Sequence, residues 1–205
     1  MARPPRFDSD LLLDAAVRLT AGGGPGAVTM AAVAKAVGAP SGSVYHRFAG
    51  RPALLAEVWL RTVERFQEGY FAVLDGADDP RRAASGAARY VVEWSREHPE
   101  EATLLLYGPA DFGRADWSEE HRRRADAGNA RVFATLASLA DALGIPAGDR
   151  QGRDRVTLAL IDLPLSVVRR HLRAGTPLPP HAEDLTEAGT TALLAPPARG
   201  IREVG

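Results

Sequence analysis

Apolar residues recur every three or four positions along most of this sequence, and short groups of proline and glycine interrupt the pattern. Such spacing places apolar side chains on one face of a helix, whereas the strict alternation typical of a strand is nearly missing. Ala, Leu, Arg and Glu, which favour helix, are also abundant, so the sequence predicts an all-α fold. About nine helices are expected, near residues 8–20, 29–37, 41–48, 51–74, 79–97, 99–107, 117–143, 151–174 and 182–194.

Charge is distributed unevenly along the chain. Residues 1–55 carry six Lys and Arg against three acidic residues, whereas the other 150 residues carry 19 against 23. A small basic head before a larger, mildly acidic body is compatible with DNA binding, although a difference of this size does not establish it. We expect a head at 1–50, a body at 51–195 and a polar tail at 196–205.

The residue inventory argues against several classes of protein. Cysteine is missing from the sequence, so disulfides and thiolate metal sites are excluded. The five histidines lack the i,i+4 pairing of a metal-binding helix, and we expect no metal site and no cofactor. Hydrolase, metalloprotease and phosphate-loop motifs are missing, so we predict no catalytic residues and no enzyme activity. Because we find neither a signal segment nor a membrane span, we expect a cytoplasmic protein without membrane contacts.

Two short predicted helices in the head, at 29–37 and 41–48, are joined by a glycine-containing turn at 38–40. This spacing is typical of a helix-turn-helix. At 100° per residue, Val44 and Phe48 share one side of the second helix and can anchor it to the core. The opposite side carries Gly42, Ser43, His46 and Arg47, with Tyr45 at the border. Small and polar side chains of this kind can enter a major groove and contact bases and phosphates.

The run from Thr29 to Leu55, TMAAVAKAVGAPSGSVYHRFAGRPALL, resembles the DNA-binding signature of the tetracycline-repressor (TetR) family. The matching positions are Thr29, Val33, Ala34, Gly38, Gly42, Ser43, Val44, Tyr45, Phe48, Arg51, Ala53, Leu54 and Leu55. The resemblance implies a homodimeric, ligand-responsive transcription factor, usually a repressor, with a helical-bundle body for ligand binding and dimerisation. By position, the helices that would pair with their twins in the dimer are 151–174 and 182–194.

One position departs from the family pattern. Pro40 stands where the family usually has a Ser or Thr that caps the recognition helix, and proline cannot cap through its side chain. Since proline suits the first turn of a helix, Ala39 would be left as a poor cap.

These observations yield a set of candidate DNA-binding residues. We predict phosphate contacts from Thr29, Ser41, Tyr45 and Arg51, and base contacts from Gly42, Ser43, His46 and Arg47. Thr29 begins a helix whose free N–H groups favour a phosphate. Arg3 and Arg6 could extend the contact as a basic arm, or belong to a disordered leader.

Two features of the body leave alternatives open. Trp94, Tyr107, Phe112, Trp117 and Phe133 are candidates for lining an effector pocket, but aromatic residues at helical spacing can equally be core residues. Pro164 lies inside a helical pattern, so it either kinks one helix or separates two helices.

We therefore expect a ligand-responsive regulator that binds a palindromic operator as a homodimer and is released by an unidentified small molecule. Its partners would be double-stranded DNA and a second copy of the chain. An activator remains open. The alternative from another class is an all-α enzyme or protein-interaction module that keeps the head only as fold.

Overall fold

The computed structural model describes residues 8–195, with the side chain of Ser41 excepted. All regular structure in this range is helical, which confirms the predicted all-α fold. The helices are α1 (Ser9–Gly23), α2 (Met30–Val37), α3 (Ser41–Tyr45), α4 (Arg51–Asp75), α5 (Pro80–Glu97), α6 (Pro99–Leu104), α7 (Glu119–Ala142), α8 (Arg150–Thr157), α9 (Leu163–Ala174) and α10 (Ala182–Leu193). A π turn at Leu158–Asp162 joins α8 to α9. When α8, the π turn and α9 are counted as one continuous helix, the described range holds the expected nine helices. The predicted arm residues Arg3 and Arg6 and the predicted tail at 196–205 lie outside the described residues.

The ends of α1 show how the sequence sets a helix boundary. Asp8 caps the start, since its carboxylate accepts the Leu11 N–H at 2.8 Å. The prediction that α1 ends near Thr20 was wrong, because the helix continues to Gly23. Glycine ends a helix only where the backbone leaves the helical region, and in this segment Gly24 does so with φ 70° before a 3-10 turn at Pro25–Ala27.

The described residues form two compact units. The first unit comprises the described residues of Met1–Gly69 and Trp94–Val132, and the second comprises those of Tyr70–Glu93 and Phe133–Gly205. The two units are defined by which residues contact one another, and not by what the residues do. The predicted functional boundary at residue 50, between a DNA-binding head and a regulatory body, therefore stays a prediction.

Helix α1 is the centre of the first unit. It packs against α2 and α6, and its Leu12 and Ala16 are completely buried. Arg61 of α4 ties the polar side of α1 in place through ion pairs with Asp10 and Asp14, at 3.2 and 2.6 Å. The Arg61 side chain is 15% exposed, but the carboxylates of Asp10 and Asp14 are 81% and 50% exposed, so water screens both pairs.

Pro164 lies within one continuous helical run in the second unit. Thr157, Leu158, Asp162 and Leu163 all have right-handed helical backbone angles. The alternative of two separate helices is therefore wrong, and the helix accommodates its proline through the preceding π turn.

The π turn changes the hydrogen bonding of the carbonyl oxygen of Ala159. In an α-helix this oxygen would accept the Leu163 N–H, but that group donates to Leu158 instead. In a π-helix it would accept from residue 164, and proline has no N–H. The hydroxyl of Thr190 on α10 donates to the Ala159 oxygen at 3.0 Å, and Thr190 is fully buried. A side chain of the neighbouring helix thus replaces the missing main-chain donor.

The next carbonyl along the same helix, that of Leu160, also accepts a hydrogen bond from a side-chain hydroxyl. The phenol of Tyr70 donates to the Leu160 carbonyl at 3.5 Å, a long hydrogen bond. Burial raises the pKa of Tyr70 above its ordinary value, so the phenol stays protonated and remains a donor.

We expect Thr190→Val to destabilise the fold, because it keeps the side-chain shape but leaves the buried Ala159 oxygen without its donor. The cost should be about 1–3 kcal/mol, which for a chain of this size lowers Tm by roughly 2–4 °C per kcal/mol. Thermal unfolding followed by circular dichroism measures it. Thr191→Val is the matched control, since the Thr191 hydroxyl is exposed and bonds within its own helix to Glu187. An equal loss in both variants would contradict the account.

Candidate nucleic-acid interface

Helix α2 is closed at both ends as the sequence predicted. The Thr29 hydroxyl oxygen accepts the Ala32 N–H at 3.0 Å and caps the first turn. At the other end Gly38 takes the left-handed conformation, with φ 67°, and donates to the Lys35 carbonyl. The next residue, Ala39, donates to the Ala34 carbonyl at 2.9 Å, which completes a Schellman motif. A fixed turn therefore leads from α2 into α3.

Helix α3 begins without a side-chain cap. Pro40 is the cap residue, so the prediction that Ala39 holds this place was wrong. Pro40 can take it because its ψ of 139° is extended, which fits a cap position, and its carbonyl accepts the Ser43 N–H at 2.9 Å. The helix is shorter than the predicted 41–48, but its hydrogen-bond pattern continues beyond Tyr45, since Phe48 donates to the Val44 carbonyl at 3.0 Å.

The buried side of the α3 segment is as predicted, whereas Tyr45, which was expected at the border, lies on the exposed side. Val44 is 0% exposed and Phe48 is 5% exposed, and both belong to the core of the first unit. Tyr45 is 62% exposed, an unusual degree of exposure for a large aromatic side chain. Gly42, His46 and Arg47 are also exposed, and Ser43 is half-buried. The side chain of Ser41 lies outside the described residues.

Gly42 has no role in packing. A Cβ atom built at this position would meet no other atom within 4 Å, and the residue is helical. The fold would accept alanine here, whereas Gly38 needs its glycine because of its positive φ. The absence of a side chain at Gly42 therefore leaves space outside the protein.

Arg51 has a structural role that the sequence did not suggest. Its guanidinium donates to the carbonyls of Val28 and Pro25, at 2.8 and 3.0 Å. These bonds hold the segment before α2 against the start of α4. The predicted phosphate contact of Arg51 stays a prediction, and it would use the donors that these bonds leave available.

Two of the pocket candidates are core residues. Phe112 is 0% exposed and Trp117 is 2% exposed, and the indole N–H of Trp117 donates to the Phe112 carbonyl at 2.9 Å. Trp59 packs beside Trp117, with ring centroids 5.6 Å apart. Core packing, the alternative stated from the sequence, accounts for both residues.

The other three candidates have separate surroundings. Trp94 is buried and meets Phe66 edge-on, with centroids 5.1 Å apart. Tyr107 is half-buried against α4, where its carbonyl accepts the Trp59 N–H at 3.4 Å. Phe133 is 66% exposed and lines a small cavity of about 130 Å³ within the second unit. Their role in an effector pocket stays a prediction.

One hydrogen-bonded chain in the first unit has the residue types of a hydrolase triad. His121 contacts the Ser118 hydroxyl at 2.8 Å and the Glu57 carboxylate at 2.9 Å. However, Ser118 also accepts the His121 N–H at the start of α7, and Glu57 is paired with Arg124 at 2.7 Å. This arrangement ties α4 to α7 and caps a helix.

Between residues 8 and 195, no three His, Asp or Glu side chains are placed to hold a metal ion. In the same range, no helix combines the length and the apolar character that crossing a membrane requires.

An anchored inner face, a polar outer face and a fixed glycine turn, set in an all-α chain, define a helix-turn-helix DNA-binding protein. Residues 12–58 match the family described as "Bacterial regulatory proteins, tetR family". The match covers the helix-turn-helix and the first residues of α4, so the chain carries a DNA-binding domain similar to that of tetR family regulators.

Solved structures share the fold over nearly the whole chain. The TetR family regulator PfmR from Thermus thermophilus is 22% identical, with TM-score 0.65, covering 96% of this chain and 100% of its own. KstR2, a ketosteroid transcriptional regulator of Mycobacterium tuberculosis, is 19% identical, with TM-score 0.66 and coverages of 92% and 95%. FadR from Bacillus subtilis, solved in complex with stearoyl-CoA, is 12% identical, with TM-score 0.71 and coverages of 92% and 98%. At these identities the likeness concerns the fold. No curated protein matches the sequence.

We expect Arg51→Met and Arg47→Met to have different effects. Arg51→Met removes the donors to two carbonyls and should lower the stability of the first unit by about 1 kcal/mol, measured by thermal unfolding. Arg47→Met should alter DNA binding, because Arg47 is exposed on the outer face of the α3 segment. Arg173→Met, an exposed arginine on α9, is the control. An unchanged Tm for Arg51→Met, together with a flatter salt dependence of DNA binding, would assign Arg51 to phosphate contact instead.

Proposed function

We propose that this chain is a repressor that binds a near-palindromic operator as a homodimer and leaves the DNA when a small molecule binds its body. The observation that carries the proposal is the α3 segment, in which a buried pair fixes the helix and exposed polar groups lie on the other side. A helix held in this way can be inserted into a major groove without refolding.

The exposed face of α3 carries two kinds of group. Some can contact phosphates and so fix the position of the helix on DNA, and others can contact base edges and so read the sequence. The phenol of Tyr45, 62% exposed, can donate to a phosphate oxygen. The first-turn N–H groups of α2 that the Thr29 cap leaves available favour the same kind of ligand. His46 and Arg47 are exposed and can contact base edges, where arginine prefers guanine. Gly42 would permit close approach of the helix to the floor of the groove, since nothing in the protein occupies the space beside it.

Exposed apolar side chains in the second unit support the homodimer. Leu158 at the π turn is 42% exposed, and Leu185 on α10 is 61% exposed. Leucines at this exposure on the helices that the family resemblance assigns to dimerisation favour burial against a second copy. Two recognition helices related by a twofold axis would read two half-sites about 34–36 Å apart, which requires a near-palindrome.

The cavities favour a small effector. The four cavities described within single units have volumes of about 130, 260, 320 and 340 Å³. Pockets for drug-sized ligands measure roughly 300–1,000 Å³, so two of these cavities lie just above the lower limit and two lie below it. A ligand as large as the stearoyl-CoA bound to FadR would not fit into any one of them. We therefore propose an effector much smaller than an acyl-CoA.

We expect Gly42→Ala to separate folding from DNA binding. Tm should stay the same or rise, because alanine favours helix and its methyl group meets no neighbour, whereas operator affinity should fall about tenfold, or ~1.4 kcal/mol, because the methyl group meets the DNA. Fluorescence anisotropy across a salt series, with DNA from the region upstream of the chain's own gene, measures the affinity. For the unchanged protein, binding should weaken steeply with salt.

The controls for this experiment lie on the same helix. Tyr45→Ala should weaken binding to all sequences, and Tyr45→Phe shows how much of that loss belongs to the hydroxyl. If Gly42→Ala and Tyr45→Ala both bind as the unchanged protein does, the α3 face is not the contact surface. Salt-insensitive binding would contradict the proposal as a whole.

We expect Leu185→Arg to disrupt the dimer, because it places a charge where the proposed interface buries an apolar side chain. Sedimentation equilibrium should show a shift toward monomer, and operator affinity should fall because the two heads no longer bind together. Leu11→Arg is the matched control, since Leu11 is an exposed leucine of α1, 39% exposed. A dimer that survives Leu185→Arg but not Leu11→Arg would locate the interface elsewhere.

A further inference from the structure

A cavity of about 320 Å³ lies inside the second unit, next to the ends of α7 and α10. Part of its wall is apolar, formed by Leu143, Ile145 and Leu193. The polar part consists of two arginines, Arg81 at the start of α5 and Arg155 on α8, together with the carboxylate of Asp149. The cavity therefore combines an apolar surface with a pair of guanidinium groups.

Arg155 lacks the partners that a half-buried arginine usually has. Its Nε atom is buried and has no hydrogen-bond acceptor among the described residues. Over the same residues, no carboxylate lies within 4.0 Å of its guanidinium nitrogens. A charged donor that is removed from water without an acceptor is unfavourable, so this atom requires a partner that the described protein groups do not supply.

The neighbouring polar groups already have hydrogen-bond partners within the protein. Arg81 donates to the Leu194 carbonyl. Asp149 accepts the Gly152 N–H at 2.9 Å and caps α8. The carbonyls at the end of α7 are used as well, since Ile145 donates to Ala140 at 2.9 Å. Two positive charges thus face the cavity against one carboxylate that serves a helix end.

We propose that this cavity binds a monocarboxylate with an apolar body of around ten non-hydrogen atoms. The planar guanidinium of Arg155 matches the geometry of a carboxylate, whose oxygens can accept from Nε and from a second nitrogen. The apolar part of the ligand lies against Leu143, Ile145 and Leu193. One negative charge on the ligand balances the excess positive charge of the cavity.

This inference concerns a binding site and stands apart from the repressor function, because ligand binding is measured without DNA. A repressor whose effector binds elsewhere would still bind the carboxylate here. Conversely, a carboxylate site that fails the test leaves the contact between α3 and DNA untouched.

Isothermal titration calorimetry of the full chain with octanoate tests the proposal. Octanoate should bind with one site per chain. Octan-1-ol has the same apolar body without the charge, and its affinity should be lower by about tenfold or more. Arg155→Met should reduce octanoate affinity about tenfold or more, and Arg155→Lys should keep part of it because the charge remains but the planar fork is lost. Arg150→Met is the matched control, since Arg150 is an exposed arginine of the same helix.

Thermal unfolding of each variant separates loss of the site from loss of the fold. Octanoate should raise Tm of the unchanged protein and of Arg150→Met, but not of Arg155→Met. Octanoate binding that is equal in Arg155→Met, or matched by octan-1-ol, would overturn the proposal.

Discussion

The burial of Val44 and Phe48 is the interaction on which the DNA-binding surface depends. Helix α3 has five residues, far fewer than the roughly 12–15 that a helix needs for stability on its own in water. Its conformation therefore comes from the core, where the two side chains are 0% and 5% exposed. Because they point inward, the residues between and beside them must point outward. The glycine turn at Gly38 sets the direction from which α3 approaches the core, so three positions determine where Tyr45 and Arg47 lie.

The same physical requirement recurs wherever the sequence interrupts a helix: a backbone carbonyl must find a donor. Arg51 supplies donors to the segment between α1 and α2, and Thr190 supplies one at the π turn before Pro164. These side chains come from distant parts of the sequence, so each interruption also becomes a tertiary contact. Arg155 presents the opposite situation, a buried donor without an acceptor in the wall of a cavity, and the cavity is why it indicates a ligand. The Nε of Arg61 also lacks an acceptor, but the other nitrogens of that guanidinium are paired with Asp10 and Asp14.

The sequence predicted those features that depend on local rules. The Thr29 cap, the left-handed Gly38 and the two faces of α3 follow from helix ends and from 100° per residue, and the structure has all three. The π turn and the bonds of Arg51 could not be predicted, because they depend on which distant groups meet. The burial of Phe112 was one of two alternatives in the sequence, since periodicity shows that an aromatic residue faces inward but not whether it meets packed atoms or a cavity. The DNA-binding roles of the α3 residues rest on the resemblance to the TetR family signature and on the exposure of their side chains.

A DNase footprint of the purified chain on fragments recovered by genome-wide binding tests the central claim, that the outer face of α3 reads an operator. The account predicts a protected near-palindrome with half-sites about 10–10.5 base pairs apart or a multiple of this spacing. It also predicts that Tyr45→Ala abolishes this protection while the variant keeps its fold. No protected site on any fragment, or the same protection by Tyr45→Ala and Gly42→Ala as by the unchanged protein, would contradict the account.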